Sequence, residues 1–283
     1  MTIDARRVHV CEAGSGEQTP LLLIHGLGGR WQNWLENIPR LAEHRRVVAV
    51  DLPGFGRSQL PVEPISIAGY ARTLDRVCDL LELDAVIAVG NSLGGLVATE
   101  LALREPARVA GLALVSAACL APGEISPIGS QLALAALARI AAALPRGAAS
   151  TLRRPRARHL AFATVIRHPT RLHTDLLYEL AGGARPPGTL DALAALSAHP
   201  IRDQLGRITQ PTLVVHGRED MLIPCSDSER LATLIAGAEL HVFEDTGHLP
   251  MVERPVPFND LLLRFVGEQG SPRDHAVPPT TGG

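Results

Sequence analysis

The sequence predicts an α/β fold: a mainly parallel sheet sandwiched by helices, with a helical segment inserted between two strands. Three observations predict it. Seven short apolar runs rich in β-branched residues recur along the chain, separated by helix-like stretches. That alternation belongs to a parallel sheet covered on both faces. The loops following five of these runs are polar or glycine-rich, and all fall on the carboxyl edge, where open α/β sheets bind ligands. The regularity stops between about 118 and 205, a stretch rich in Ala, Leu, Arg and Pro with no convincing strand.

In chain order, the candidate strands are RVHVCEA (7–13), PLLLIHG (20–26), RVVAVDLPG (46–54), AVIAVG (85–90), GLALVS (111–116), PTLVVHG (211–217) and AELHVFED (238–245). Residues 1–118 and 205–267 are assigned to the core, and 119–204 to a helical cap over the sheet's carboxyl edge. The Pro/Gly-rich tail 268–283 lacks a hydrophobic face and is read as disordered. In the cap, the apolar run 131–144 suits either an acyl-pocket lining or packing among cap helices. The basic stretch RRPRARH (153–159) is read as an exposed face rather than a site for an acidic substrate group.

Composition excludes several functions. The net charge of -2 offers no electrostatic case for nucleic acid or an anionic membrane. Aromatic residues are only 3%, too few for a base-stacking surface. All 27 Lys and Arg positions are arginine, which removes Schiff-base, P-loop and general-base lysines. Cys11, Cys78, Cys119 and Cys225 are widely spaced and form no C-x-x-C, so they are read as reduced and mostly buried. The 11 histidines are dispersed, so no metal site or cofactor is expected. The first residues carry no apolar signal core, and the longest greasy stretch is interrupted by Arg139. A cytoplasmic protein without membrane insertion is expected; the sequence leaves its oligomeric state open.

One short stretch carries the first chemistry. In AVIAVGNSLGGLVATELAL (85–103), Ser92 stands between a strand-like run and a helix-like run, flanked by Gly90 and Gly94 as G-x-S-x-G. So sharp a strand-to-helix turn strains the turn residue and requires small neighbours where backbones cross. It holds the hydroxyl at the sheet's edge beside a helix N-terminus, a favourable place for a nucleophile.

Further loops carry HGLGG (25–29), DLPGFGRS (51–58), HGREDMLIP (216–224) and DTGHLPMVERP (245–255). With G-N-S-x-G-G, their order and spacing resemble the capped α/β-hydrolase family over nearly all of residues 7–266. The resemblance implies that Ser92 is the nucleophile, Asp220 the triad acid and His248 the base. Chemistry agrees: a serine hydroxyl needs a base to take its proton, and a carboxylate to orient and stabilise the imidazole. The backbone N–H groups of Leu27 and Leu93 would form the oxyanion hole. Glu219 should point away, Asp245 should cap a turn, and Asp51 should hold its turn through side-chain bonds. His25 and His216 are expected to be structural hydrogen-bonders.

The substrate class is less legible. Serine at 92 argues against family members with an aspartate nucleophile, namely epoxide hydrolases and dehalogenases. Asn91-Ser92 resembles hydrolases that cleave C–C bonds of aromatic meta-cleavage products, but those commonly carry Trp after the base, where this chain has Leu249. The preferred reading is a small or medium carboxylic ester; the alternatives are C–C hydrolysis or a triad-retaining small-molecule receptor. Asn91, Trp31 and Leu249 are candidate pocket residues, and Trp31 and Trp34 are expected near the rim.

Overall fold

A computed structural model describes residues 1–120, 149–182 and 187–269. The expected apolar run at 131–144 and the tail beyond Gln269 lie outside the described residues. All seven candidate strands form one sheet: β3 (Val10–Ala13), β4 (Leu21–Ile24), β5 (Val47–Val50), β6 (Val86–Asn91), β7 (Val109–Val115), β8 (Thr212–Gly217) and β9 (Glu239–Phe243), in the spatial order β3-β5-β4-β6-β7-β8-β9. Only β3 runs antiparallel, against β5; every other pairing is parallel.

The run at 7–13 is not one strand. Arg6–Arg7 forms β2 of a separate hairpin with β1 (Thr2–Ile3). His9 is drawn aside: its N–H donates to Ser58 Oγ (2.9 Å) and its carbonyl accepts from the Asp51 N–H (3.0 Å). Strand pairing therefore resumes only at Val10.

The strands read as continuous apolar runs because both faces are covered. Leu22, Ile24, Val48, Val50, Ala88 and Leu114 join one buried cluster with Leu74 of α2 (Ile67–Leu80) and Leu96 of α3 (Leu93–Arg104). Their alternating neighbours Leu21, Leu23, Val47, Ala49, Val89 and Val115 join a second cluster with Leu41 of α1 (Ile38–Ala42). Phe258 and Phe265 of the C-terminal helix Pro255–Gln269 complete that second face. That helix extends to Gln269, two residues into the stretch expected to be disordered.

Between β7 and β8, the described residues hold helices Ala149–Leu152, Pro155–Phe162, Thr174–Ala181 and Thr189–Ser197. Leu152, Phe162 and Leu177 extend the second cluster, while Ala192 and Leu196 extend the first. No described helix is long and apolar enough to cross a membrane.

Candidate active site

The site begins with a strained residue. Ser92 links β6 directly to α3 at φ 55 and ψ −117, a conformation that L-residues rarely adopt. The crossing is glycine-lined by necessity: a Cβ on Gly90 would lie 2.2 Å from the Gly94 oxygen, and one on Gly94 would lie 2.3 Å from the Ile24 oxygen. The backbone is held from both sides. Ser92 N–H donates to Val115 O (2.9 Å), and Ser92 O accepts from the N–H groups of Gly95 (3.0 Å) and Ala118 (3.1 Å). As the first residue of α3, Leu93 presents an N–H with no intrahelical acceptor.

The loop after β4 lies against this elbow, since a Cβ on Gly26 would be 3.0 Å from Ser92 Cβ. Gly29 N–H donates to Gly26 O (3.0 Å), closing a tight turn over Leu27 and Gly28, and the φ of 72 at Gly28 calls for glycine. His25 fixes the turn: its Nε2 accepts from Leu52 N–H (3.0 Å), so its Nδ1–H donates to Gly26 O (2.7 Å). Burial lowers the His25 pKa, consistent with a neutral ring. Asp51 braces the adjoining segments, accepting from Trp31 N–H (2.7 Å) and Arg57 N–H (2.9 Å).

Asp220 and His248 meet across the loops after β8 and β9. His248 Nδ1 lies 2.6 Å from Asp220 Oδ2, while Asp220 Oδ1 accepts from the N–H groups of Leu222 (2.8 Å) and Ile223 (3.1 Å). Both side chains are almost wholly buried. Burial pushes the Asp220 pKa up, but the charge and hydrogen bond of His248, the charge of His216 and the Ile223 N–H outweigh it and hold the carboxyl below its ordinary range. With Nδ1 donating to Asp220, His248 Nε2 is left as the ring's acceptor. Glu219 does point elsewhere, to Thr246 N–H (2.8 Å). His216 is structural: Ser228 Oγ lies 2.7 Å from Nδ1, and Nε2 lies 3.1 Å from Ile223 O. Burial lowers its pKa too.

Asn91 is buried, and its Nδ2 donates to Val115 O (3.1 Å) and His248 O (3.3 Å), tying the elbow to the histidine loop. Two expectations need correction. Trp34 is not at a rim but fully buried, 6.4 Å from the Phe258 ring. Asp245 does more than cap a turn: its carboxylate contacts His168 Nε2 (2.6 Å), Arg171 (3.4 Å) and Arg254 (3.5 Å). Trp31 and Leu249 both pack into the second apolar cluster, Trp31 half-buried and Leu249 buried.

Sequence reasoning missed Glu253. Its half-buried carboxylate accepts from Gly247 N–H (2.9 Å), beside His248, and from Arg167 N–H (2.8 Å) in the inserted segment. His248 N–H itself donates to Val165 O (3.0 Å). The signal was present as the Glu of G-H-x-P-x-x-E-x-P, but nothing in the sequence assigned it a partner.

Comparison with known proteins places this geometry in a family. Residues 19–255 match the model of the alpha/beta hydrolase fold. The 2-hydroxymuconate semialdehyde hydrolase of Pseudomonas sp. (strain CF600) is 34% identical, with 93% of this chain and 91% of that protein covered. A meta-cleavage product hydrolase from Pseudomonas fluorescens IP01 superposes with a TM-score of 0.75 at 26% identity, covering 94% of this chain and 96% of the other. An esterase from Exiguobacterium antarcticum gives 0.77 at 25%, covering 94% and 97%. With the sheet order, the elbow and the family match in agreement, the chain belongs to the α/β-hydrolase fold family and is a hydrolase.

Proposed function

We propose that the chain is a serine hydrolase that cleaves small or medium carboxylic esters through an acyl-enzyme, without a cofactor. The contact of His248 Nδ1 with Asp220 Oδ2 at 2.6 Å carries this reading, because it orients the imidazole and leaves Nε2 as a base. Ser92 Oγ attacks the ester carbonyl and gives its proton to Nε2. The N–H groups of Leu27 and Leu93 receive the developing oxyanion. The imidazolium then protonates the departing alcohol, and water, activated by the same ring, releases the acid. The helices between β7 and β8 act as a cap over the site.

Hydrolysis of a C–C bond in a meta-cleavage product is the second reading, favoured by the 34% identity with a named 2-hydroxymuconate semialdehyde hydrolase. That chemistry must first convert a dienol to a ketone, which calls for polar groups beyond the triad. Asn91, the candidate nearest Ser92, has its amide nitrogen occupied by two carbonyls, which supports the ester reading. A panel of p-nitrophenyl esters of increasing chain length, run beside a phenyl-substituted dienoic diketo acid and with Ser92→Ala as control, tests the choice. Esters should turn over well above the dienoic acid, repeatedly rather than once, and Asn91→Ala should lower ester turnover only modestly. Faster cleavage of the dienoic acid, abolished by Asn91→Ala, would establish the second reading; a single turnover with tight retention of ligand would indicate a receptor.

A further inference from the structure

An open cavity lies at the opposite edge of the sheet from Ser92. It has a volume of about 1030 Å³ and lies beside Thr19, Arg45, Ile87 and Ala110, near the amino ends of β4, β5, β6 and β7. Arg45 stands out on its wall. The residue is only 5% exposed, and the one hydrogen bond of its side chain among the described residues runs from Nη1 to Thr19 O (3.0 Å). Its Nε is sealed from solvent and has no partner. Nearby arginines differ: Arg46 pairs with Glu12 at 2.7 Å, and Arg40, on the cavity wall, pairs with Glu43 at 2.6 Å. Burial lowers the Arg45 pKa, and among the described residues no ion pair includes it.

A buried cation without a counter-charge is costly to the fold, and a bound anion removes that cost. We infer that this cavity is a binding site for a small oxyanion, a phosphate or a carboxylate, seated on the Arg45 guanidinium. With Nε sealed, the terminal Nη1 and Nη2 groups are what the guanidinium has left to offer two oxygens of such an anion. His44 and Arg264 also line the cavity and add positive or neutral donors. Glu17 and Asp260 line it as well, and their charges oppose an anion there. The site is independent of ester cleavage and of the reading of Ser92.

Thermal unfolding of the full chain in sodium phosphate, in sodium acetate and in sodium chloride at matched ionic strength tests the site. At saturation one oxyanion should raise Tm by about 2–4 °C over chloride, and the stronger arm distinguishes phosphate from carboxylate. Arg45→Met should abolish the response, and Asp260→Asn, which removes a repelling charge, should tighten binding about threefold. Titration calorimetry with wild type and Arg45→Lys keeps the test decisive if the Met variant fails to fold: losing the fork should weaken binding at least about tenfold. Equal shifts in chloride, an undiminished response in Arg45→Met or equal affinity in Arg45→Lys would each overturn the site.

Discussion

Ser92 is one of the described non-glycine residues with positive φ, and at φ 55 and ψ −117 it holds a strained turn between β6 and α3. Ser92→Ala should lower turnover by at least about three orders of magnitude with the fold intact, and His248→Ala should match it, since members of a triad do not act additively. Asp220→Asn should lose most activity as well, because an amide cannot stabilise the imidazolium. Steady-state kinetics beside a circular-dichroism melt checks all three; near-normal turnover in the Asn variant would remove Asp220 from the triad. The elbow at Ser92 and the pairing of Asp220 with His248 were legible because motif and strand-end position coincide. The partners of Asp245 were not, since His168, Arg171 and Arg254 reach it from distant positions. Buried histidines also set a pH limit. His25 and His216 have pKa values lowered by burial from 6.5, so the unfolded chain takes up protons that the folded one refuses. Stability should therefore be full above about pH 6.5 and fall below it, by about 1 kcal/mol per pH unit for each ring, until the folded value is reached. Denaturant midpoints at pH 5.5 and 7.5 measure this, and equal midpoints would contradict neutral burial.

Elements bring the pieces together through close crossings and shared anchors. The strand runs and the helices between them were readable because alternate residues face two different apolar clusters, a pattern that composition alone exposes. Strand direction was not: the antiparallel first strand depends on pairing, which no local pattern encodes. At the β6–α3 crossing, Gly94→Ala would drive a Cβ to 2.3 Å from the Ile24 oxygen, whereas a Cβ on Gly267 meets nothing within 4 Å. Gly94→Ala should cost about 2–3 kcal/mol of stability by denaturant unfolding, and Gly267→Ala close to none. Glu253 is the anchor of the histidine turn. Replacing it by Gln exchanges one acceptor oxygen for a donor, so one of its two backbone partners loses its bond. With ester substrate, kcat should fall about fivefold while KM stays nearly constant; a change confined to KM would place Glu253 in substrate binding instead.

Across the whole molecule, the inserted helices are fastened to the loops at the sheet's carboxyl edge. Arg30, just after the HGLGG turn, donates through Nη2 to Glu179 O (2.7 Å) and Glu179 Oε2 (2.9 Å) on the helix Thr174–Ala181. Gly188 N–H reaches Gly54 O (3.1 Å), and a further contact, His199 Nε2 to the buried Glu100 (3.0 Å), is made to helix α3 rather than to a loop. Insertion as such was visible from the break in strand rhythm; its fastenings were not, because they join side chains and carbonyls far apart in sequence. Arg30→Ala should loosen the insertion against the turn and raise KM for longer-chain esters more than for acetate, read from a chain-length series. A uniform loss in kcat would instead indicate damage to the turn itself.

The bond from Asn91 to the His248 carbonyl spans 157 positions along the chain. During synthesis the elbow has its strand and helix early, yet the base, its acid partner and Glu253 follow only near the end. On the proposed reading, a ribosome-held chain lacking β9 would carry Ser92 and still be inert, since no imidazole would be there to accept its proton. Late arrival of this long-range contact sets a topological delay on catalysis. A growing chain is thus, on the proposed reading, kept from attacking esters until almost all of its sheet has been laid down.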